Sequence, residues 1–513
     1  MSKEAATWSA RQTNVEVRES ELDGVRVLHF PDDSGRAEAT LIFGVGARDE
    51  TLPTLGTLHA LEHAAMTGVR RTPIEIDATV RVSTTQFTAA GSPHLVGSFL
   101  TGVCRGLADP PLDRLAHEAQ ILEAELEGDD SATSPAAVFR YGFRDLGILD
   151  GPGPSPSRVR ADAVKDAAAR WFVASNALLV VEGSWPDGLR LPLVNGVRPD
   201  HPAVLTRHVG RPSAITVEAP CCEVNVVMPA DPAATRLALT VVEDRLTEVL
   251  RHQRGLIYDV DIDAIPIREG FDVTIRTDPQ PERVRDGIRA MVQTITTLLA
   301  DGPTEAELEH ARAIVRESMQ GRDAEIGDLV DTATADLIGL PSPRIHPDLL
   351  DGFNRGQVAE HLNRIATDLI YIVDEAIEGD LPTLGLDLIE PEPTTNSPLP
   401  AGQAFRPPLL ALALAKEARA SRVALTATGL AHTYQGRLQQ IAWPDVVGVM
   451  RDDDGDLIVF AQDGQVIPVG PTLYKNGQRL VDAVLTHVAG HLVYEAPADS
   501  DTDDHKEAHS NSN

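Results

Sequence analysis

AHEAQILEAEL at residues 116–126 and EHARAIVRESM at residues 309–319 fall on one another when the chain is slid along itself by 193 residues. Leu115 then lies over Leu308, His117 over His310 and Ile121 over Ile314. At nearly the same offset RWFVASNALLVVEG (170–183) faces HLNRIATDLIYIVDEA (361–376), in each case a helix running into an apolar strand. One such match can arise between any two amphipathic helices. Two at similar offsets argue for a duplicated unit.

Outward from that repeat, VRVLHF (25–30) and EATLIFGVG (38–46) read as short strands, and ALLVVEG (177–183) as a buried one. Helices are expected over 58–67 and 112–127, the second with Leu115, Ala119, Leu122 and Leu126 at helical spacing. Seven prolines between Pro382 and Pro408 suit an extended linker. Beyond it, short strands separated by Gly and Asp turns run up to a closing helix in LYKNGQRLVDAVLTHV. The expected fold class is therefore α+β: two homologous α/β-sandwich domains at 12–200 and 205–385, a linker at 386–408 and a small β-rich domain at 409–492. An acidic tail at 493–513 is expected to be disordered.

A formal charge of −32 over 513 residues argues against nucleic acid or anionic lipid as a partner, since both require a basic field. Three cysteines, two of them adjacent, provide no disulfide framework. The longest apolar run, Leu409 to Ala415, is far short of the roughly 18 residues of a membrane span. These features lead to the expectation of a cytoplasmic protein without a membrane anchor.

The chemistry centres on His59-Ala60-Leu61-Glu62-His63. Histidines four apart on a helix share a face, so both imidazoles can reach one tetrahedral Zn²⁺. Glu62 beside them can act as general base toward a metal-bound water. The competing reading, a solvated helix face, is weakened by Leu58, Leu61 and Ala65, which supply an apolar stripe for packing.

These residues resemble the pitrilysin/insulinase family of zinc peptidases, which carries the inverted His-x-x-Glu-His motif with a distant glutamate as third ligand. The resemblance spans roughly residues 15–390 and includes VGARDET (45–51), Gly56 and TTQFTAAG (84–91), the last in the place of the family's active-site edge strand. It implies Zn²⁺ as cofactor, Glu125 as third ligand and Glu118, two turns earlier, as a residue that orients a ligand from behind. Glu123 and Glu127 are expected to be solvated. In RLTEVLRHQRGLIYDV (245–260), Arg254 and Tyr258 match the family's second signature and would hold substrate backbone and the oxyanion. Glu125 aligns with Ser318, so only the first repeat keeps the metal. Two departures stand out: the shortened distance from the motif to Glu125, and Thr85 where the family has asparagine.

By resemblance the function is that of a zinc metalloendopeptidase acting in a clamshell chamber, with an extended peptide added to a sheet edge near Phe87 and Thr88. A homodimer, or a heterodimer with a related subunit, would complete the chamber. The alternative is a non-catalytic peptide-binding or regulatory subunit of such a heterodimer. The C-terminal domain is similar to a bacterial pleckstrin-homology-like module, whose acidic DDDGD loop suits partner docking better than phosphoinositides.

Overall fold

The computed structural model describes residues 15–126, 135–149, 151–201, 204–389, 397–408, 421–434 and 437–496. Its first sheet contains Arg18–Leu22 (β1), Val25–Phe30 (β2), Ala37–Phe43 (β3), Glu75–Val80 (β4), Thr85–Gly91 (β5) and Ala177–Gly183 (β6), in the spatial order β1-β2-β6-β3-β5-β4. The helices of this half are Thr57–Met66 (α1), Pro93–Ala108 (α2), Leu115–Leu126 (α3), Pro135–Tyr141 (α4) and Ala161–Trp171 (α5). A short 3₁₀ turn at Leu112–Arg114 precedes α3, so the helix expected from Leu112 begins three residues later.

The second sheet contains Ser213–Val217 (β7), Cys222–Pro229 (β8), Val260–Ile267 (β9), Gly270–Thr277 (β10), Ile370–Asp374 (β11) and Asp387–Leu388 (β12), ordered β12-β7-β11-β8-β10-β9. With it go Pro232–Leu246 (α6), Val284–Asp301 (α7), Glu305–Ser318 (α8), Arg322–Ile338 (α9), Pro347–Leu350 (α10) and Arg355–Ile365 (α11). Both sheets repeat one pattern: a parallel pair (β2/β6, β7/β11), then antiparallel neighbours (β3, β5, β4 and β8, β10, β9).

Side-chain alternation divides each sheet between two cores. On the first, Val25, Val27, Leu41, Phe87 and Leu179 pack with α1, α2 and α5, while Leu28, Phe30, Ile42 and Val180 on the reverse face meet Ile326, Ala333 and Leu337 of α9. The second sheet is covered on one face by its own helices and on the other by Ala136 and Phe139 of α4, against Ile215, Ile370 and Ile372. Each half thus lends the other a helix. Burial on both faces explains why β6 and β11 read as continuous apolar runs.

Gln403–Phe405 (β13), Arg422–Leu425 (β14), Gly429–Tyr434 (β15) and Arg437–Ala442 (β16) form a third sheet. Val446–Arg451 (β17), Leu457–Ala461 (β18), Val466–Val469 (β19) and Val493–Glu495 (β20) form a fourth, and Gly477–His487 (α12) closes the core between them. Two expectations are corrected here. The stretch expected as linker supplies β12 and β13, whose backbone groups are satisfied by pairing with β7 and β14. The stretch expected as tail begins with β20, which pairs in parallel with β17. Residues 497–513 of that tail, and 409–420 of the expected β-rich domain, lie outside the described residues. Among the described residues no helix is long and apolar enough to cross a membrane.

Candidate active site

α1 starts at Gly56, whose φ of 85° lies in the left-handed region that a side chain would strain. Its first amides are held by a residue outside the helix: Glu50 accepts from Gly56 N at 3.0 Å and from Leu58 N at 2.9 Å. A carboxylate is favoured there by the helix dipole. Burial nonetheless pushes the Glu50 carboxyl up to about 8, against the pull of those amides. Leu58, Leu61 and Ala65 face the core, which turns His59, Glu62 and His63 toward the β4 edge of the sheet and α3.

Three donors converge. Glu125 Oε2 lies 3.6 Å from His59 Nε2 and 3.4 Å from His63 Nε2, and the two imidazole centroids are 4.9 Å apart at 82°. Donors bound to one tetrahedral ion at about 2.0–2.2 Å stand roughly 3.4 Å from one another, so this spacing fits zinc. Burial, with the charge of His63, holds the His59 imidazole below its ordinary range, which favours the neutral, ligating form. Glu125 remains half exposed, leaving the cluster open on one side.

Glu62 Oε2 is 3.9 Å from His59 Nε2. Its carboxyl is pushed up to about 7 by burial and by the charges of Glu125 and Asp77, with Arg70 pulling the other way. A group so placed is suited to accept and return a proton near neutrality.

Behind the cluster, Glu118 Oε2 is 3.5 Å from His63 Nδ1. Arg70 donates to Glu118 Oε2 at 2.7 Å and to the His63 carbonyl at 3.3 Å. Burial raises the Glu118 carboxyl, but the hydrogen bond and charge of Arg70 outweigh it and hold the group below the usual carboxylate range. His63 is thereby oriented from its far side by a fully buried carboxylate.

The remaining sequence expectations fare differently. Thr85–Gly91 is hydrogen-bonded on both sides, to β3 and to β4, so Phe87 is buried in the core and Thr88 bonds to Thr40. The placement of a substrate edge at Phe87 and Thr88 is corrected accordingly: on that side of the sheet the edge strand is β4, because it pairs outside β5. Thr85 is buried and donates to the Val45 carbonyl. Arg254 and Tyr258 lie on an exposed turn after the π-helical stretch Thr247–Gln253, with Arg251 5.0 Å over the Tyr258 ring. Among the described residues no hydrogen bond, ion pair or ring contact joins them to the histidines. Glu123 accepts from Ser157 N, and Glu127 lies outside the described residues.

Sequence reading missed Glu50 and Arg70. The acid six residues before Gly56 lies outside any capping-box spacing, so it carried no local signal. Arg70, just past the end of α1, could have been suspected as a cation near a helix C-terminus.

A family profile described as peptidase M16 inactive domain matches residues 211–315. No curated protein matches this chain. Among solved structures, a peptidase M16 inactive domain from Pseudomonas fluorescens is similar at 17% identity and TM-score 0.54, over 70% of this chain and 98% of that one. A protease from Helicobacter pylori is similar at 14% identity and TM-score 0.53, over 70% of this chain and 99% of that one. The first half of a periplasmic protease from Escherichia coli is also similar, at 14% identity and TM-score 0.53, over 71% of this chain and 93% of that one. Residues 211–315 are therefore similar to the peptidase M16 inactive domain, and the mixed α/β fold around them is similar to that of the M16 inactive-domain structure from Pseudomonas fluorescens.

Proposed function

We propose that this chain is a zinc-dependent endopeptidase whose metal is held by His59, His63 and Glu125. The observation that carries the reading is the convergence of those three donors, within 4.8 Å of one another, beside a buried Glu62. Zinc would supply Lewis acidity that brings a water's pKa to about 7. Glu62 takes a proton from water and delivers it to the leaving amine, and Glu118 with Arg70 keeps the His63 ring in register. A peptide adds as a strand to the free edge of β4, where main-chain hydrogen bonds give affinity with little side-chain selectivity.

Two duplicated metallopeptidase domains forming half of a clamshell account for the repeated strand order of the two sheets. On this reading a second chain, identical or related, closes the chamber and meets the exposed Arg254 and Tyr258. The pleckstrin-homology-like reading of the C-terminal unit is supported by its two packed four-stranded sheets and closing helix. A cytoplasmic setting is supported only by three cysteines that are all free. The alternative, a non-catalytic regulatory subunit of a heterodimer, draws support from the inactive-domain match.

Metal analysis combined with a peptide-cleavage assay separates the two. Glu125→Ala is expected to lose zinc, whereas Glu62→Gln is expected to keep it and cleave nothing. Stoichiometric zinc in a parent protein that cleaves no peptide, alone or with a related chain, would favour the regulatory reading.

A further inference from the structure

Between the two halves lies a cavity of about 250 Å³ that shares no residue with the histidine cluster. Its walls come from Arg48–Thr51, Tyr141, Arg144 and Asp145 of the first half, from Arg170 and Trp171 at the end of α5, and from the β9–β10 turn and the end of α9 in the second half. Four arginines and four carboxylates line it, but they are not paired with one another throughout. Arg48 is paired with Asp145 and also donates to Ser83 and to the Pro266 carbonyl. Asp49 is taken by His201 at 2.6 Å and by the Gly46 amide, and Glu50 is occupied in capping α1. Glu269 pairs with His208. Three lining arginines, Arg144, Arg170 and Arg268, are left with no carboxylate partner among the described residues.

Of the polar atoms on residues lining this cavity, Arg144 Nε and His201 Nε2 are buried without a hydrogen-bond partner, and Asp145 Oδ1 has none beyond its ion pair with Arg48. An unpaired buried donor of a charged group costs more than a neutral one, so an acceptor inside the cavity would relieve it. Beside these atoms the Arg170 guanidinium stacks 4.7 Å over Trp171, whose ring lies 5.3 Å from that of His201. Ile267, Ile338 and Leu340 complete an apolar side. A flat apolar wall next to unpaired guanidinium donors is the arrangement that recognises an oxyanion on a planar body.

We propose that this cavity binds a small organic anion, a carboxylate or phosphate carried on an aromatic or similarly flat apolar group, with Arg144 and Arg170 as its charge partners. Such an oxyanion could belong to a peptide's terminal carboxylate or to a free phosphate ester, and the ligand arms of the experiment distinguish these sources. The site goes beyond the peptidase reading and does not depend on metal.

Isothermal titration calorimetry of the full chain with N-acetylphenylalanine, its uncharged amide, phenyl phosphate and inorganic phosphate tests it. Binding of N-acetylphenylalanine or phenyl phosphate is expected, at least about 10-fold tighter than inorganic phosphate or the amide. The better of the two names the source. Arg170→Met, at an exposed position where folding is not at stake, and Arg144→Met should each weaken that binding by about 10-fold or more. Glu125→Ala should leave it unchanged, so loss of the metal site cannot mimic failure here. No binding by either aromatic anion, equal binding of the amide, or parent-like affinity in both arginine variants would overturn the proposal.

Discussion

At the scale of single residues, Arg70 has two roles at once, satisfying the buried Glu118 carboxylate and the His63 carbonyl. Arg70→Met removes the arginine paired with Glu118, leaving a fully buried carboxylate beside His63 with only Thr67 and His63 against it among the described residues. Loss of such a supporting partner typically weakens metal binding by about 10- to 100-fold. Competition with a chromogenic zinc chelator is expected to read a fall of that size while circular dichroism stays parent-like. An unchanged zinc affinity would show that Glu118 does not need the arginine to hold the ring. The carboxylate pair Glu118 and Glu125 was expected in HEAQILEAEL from the family resemblance, with a spacing of seven residues, two helical turns, that puts both on one face. Arg70 was not, since its partner lies 48 residues away in the chain.

At the scale of elements, the position of α1 is set by how closely α2 approaches it. A Cβ at Gly106 of α2 would stand 2.8 Å from the Ala65 carbonyl oxygen and 2.9 Å from its Cα, both backbone atoms of α1 that cannot rotate away. In an isolated helix Gly→Ala gains up to about 1 kcal/mol. Here the two helices must separate, and overpacking of that kind costs about 1–3 kcal/mol. Gly106→Ala is expected to lower the urea midpoint and to weaken zinc binding, because α1 carries both histidines. An increase in stability would mean that α1 shifts freely. The strand misread as an edge belongs to this scale as well: TTQFTAAG alternates as an edge or an inner strand would, and only the pairing of β4 outside it decides between them.

At the scale of the whole molecule, the halves are locked by the exchange of α9 and α4 and by a buried polar knot beneath α4. The Arg140 side chain, fully buried, donates to both Asp368 carboxylate oxygens, to the Asp368 carbonyl and to Asn225, while Tyr141 donates to Asp272. Breaking such a pair from one side leaves an uncompensated buried charge, at a cost of about 3–5 kcal/mol. Arg140→Met should therefore lower unfolding free energy by that order in denaturant titration, and adding Asp368→Leu should recover part of it. A loss under about 1 kcal/mol would show that water or relaxation replaces the pair.

Much of this protein was determined by its sequence alone. The motif helix, the two carboxylates a double turn apart, the apolar strands and the internal repeat are all patterns of period two, three to four or seven, set by the geometry of strand and helix within a few residues. What only the tertiary structure decided are relations between distant segments: that β4 rather than β5 is the free edge, that Glu50 caps α1, that each half covers the other's sheet, and that unpaired arginines line a cavity between the halves. The Arg140–Asp368 pair spans 228 residues. Its formation depends on which faces are buried together, and no local periodicity records that.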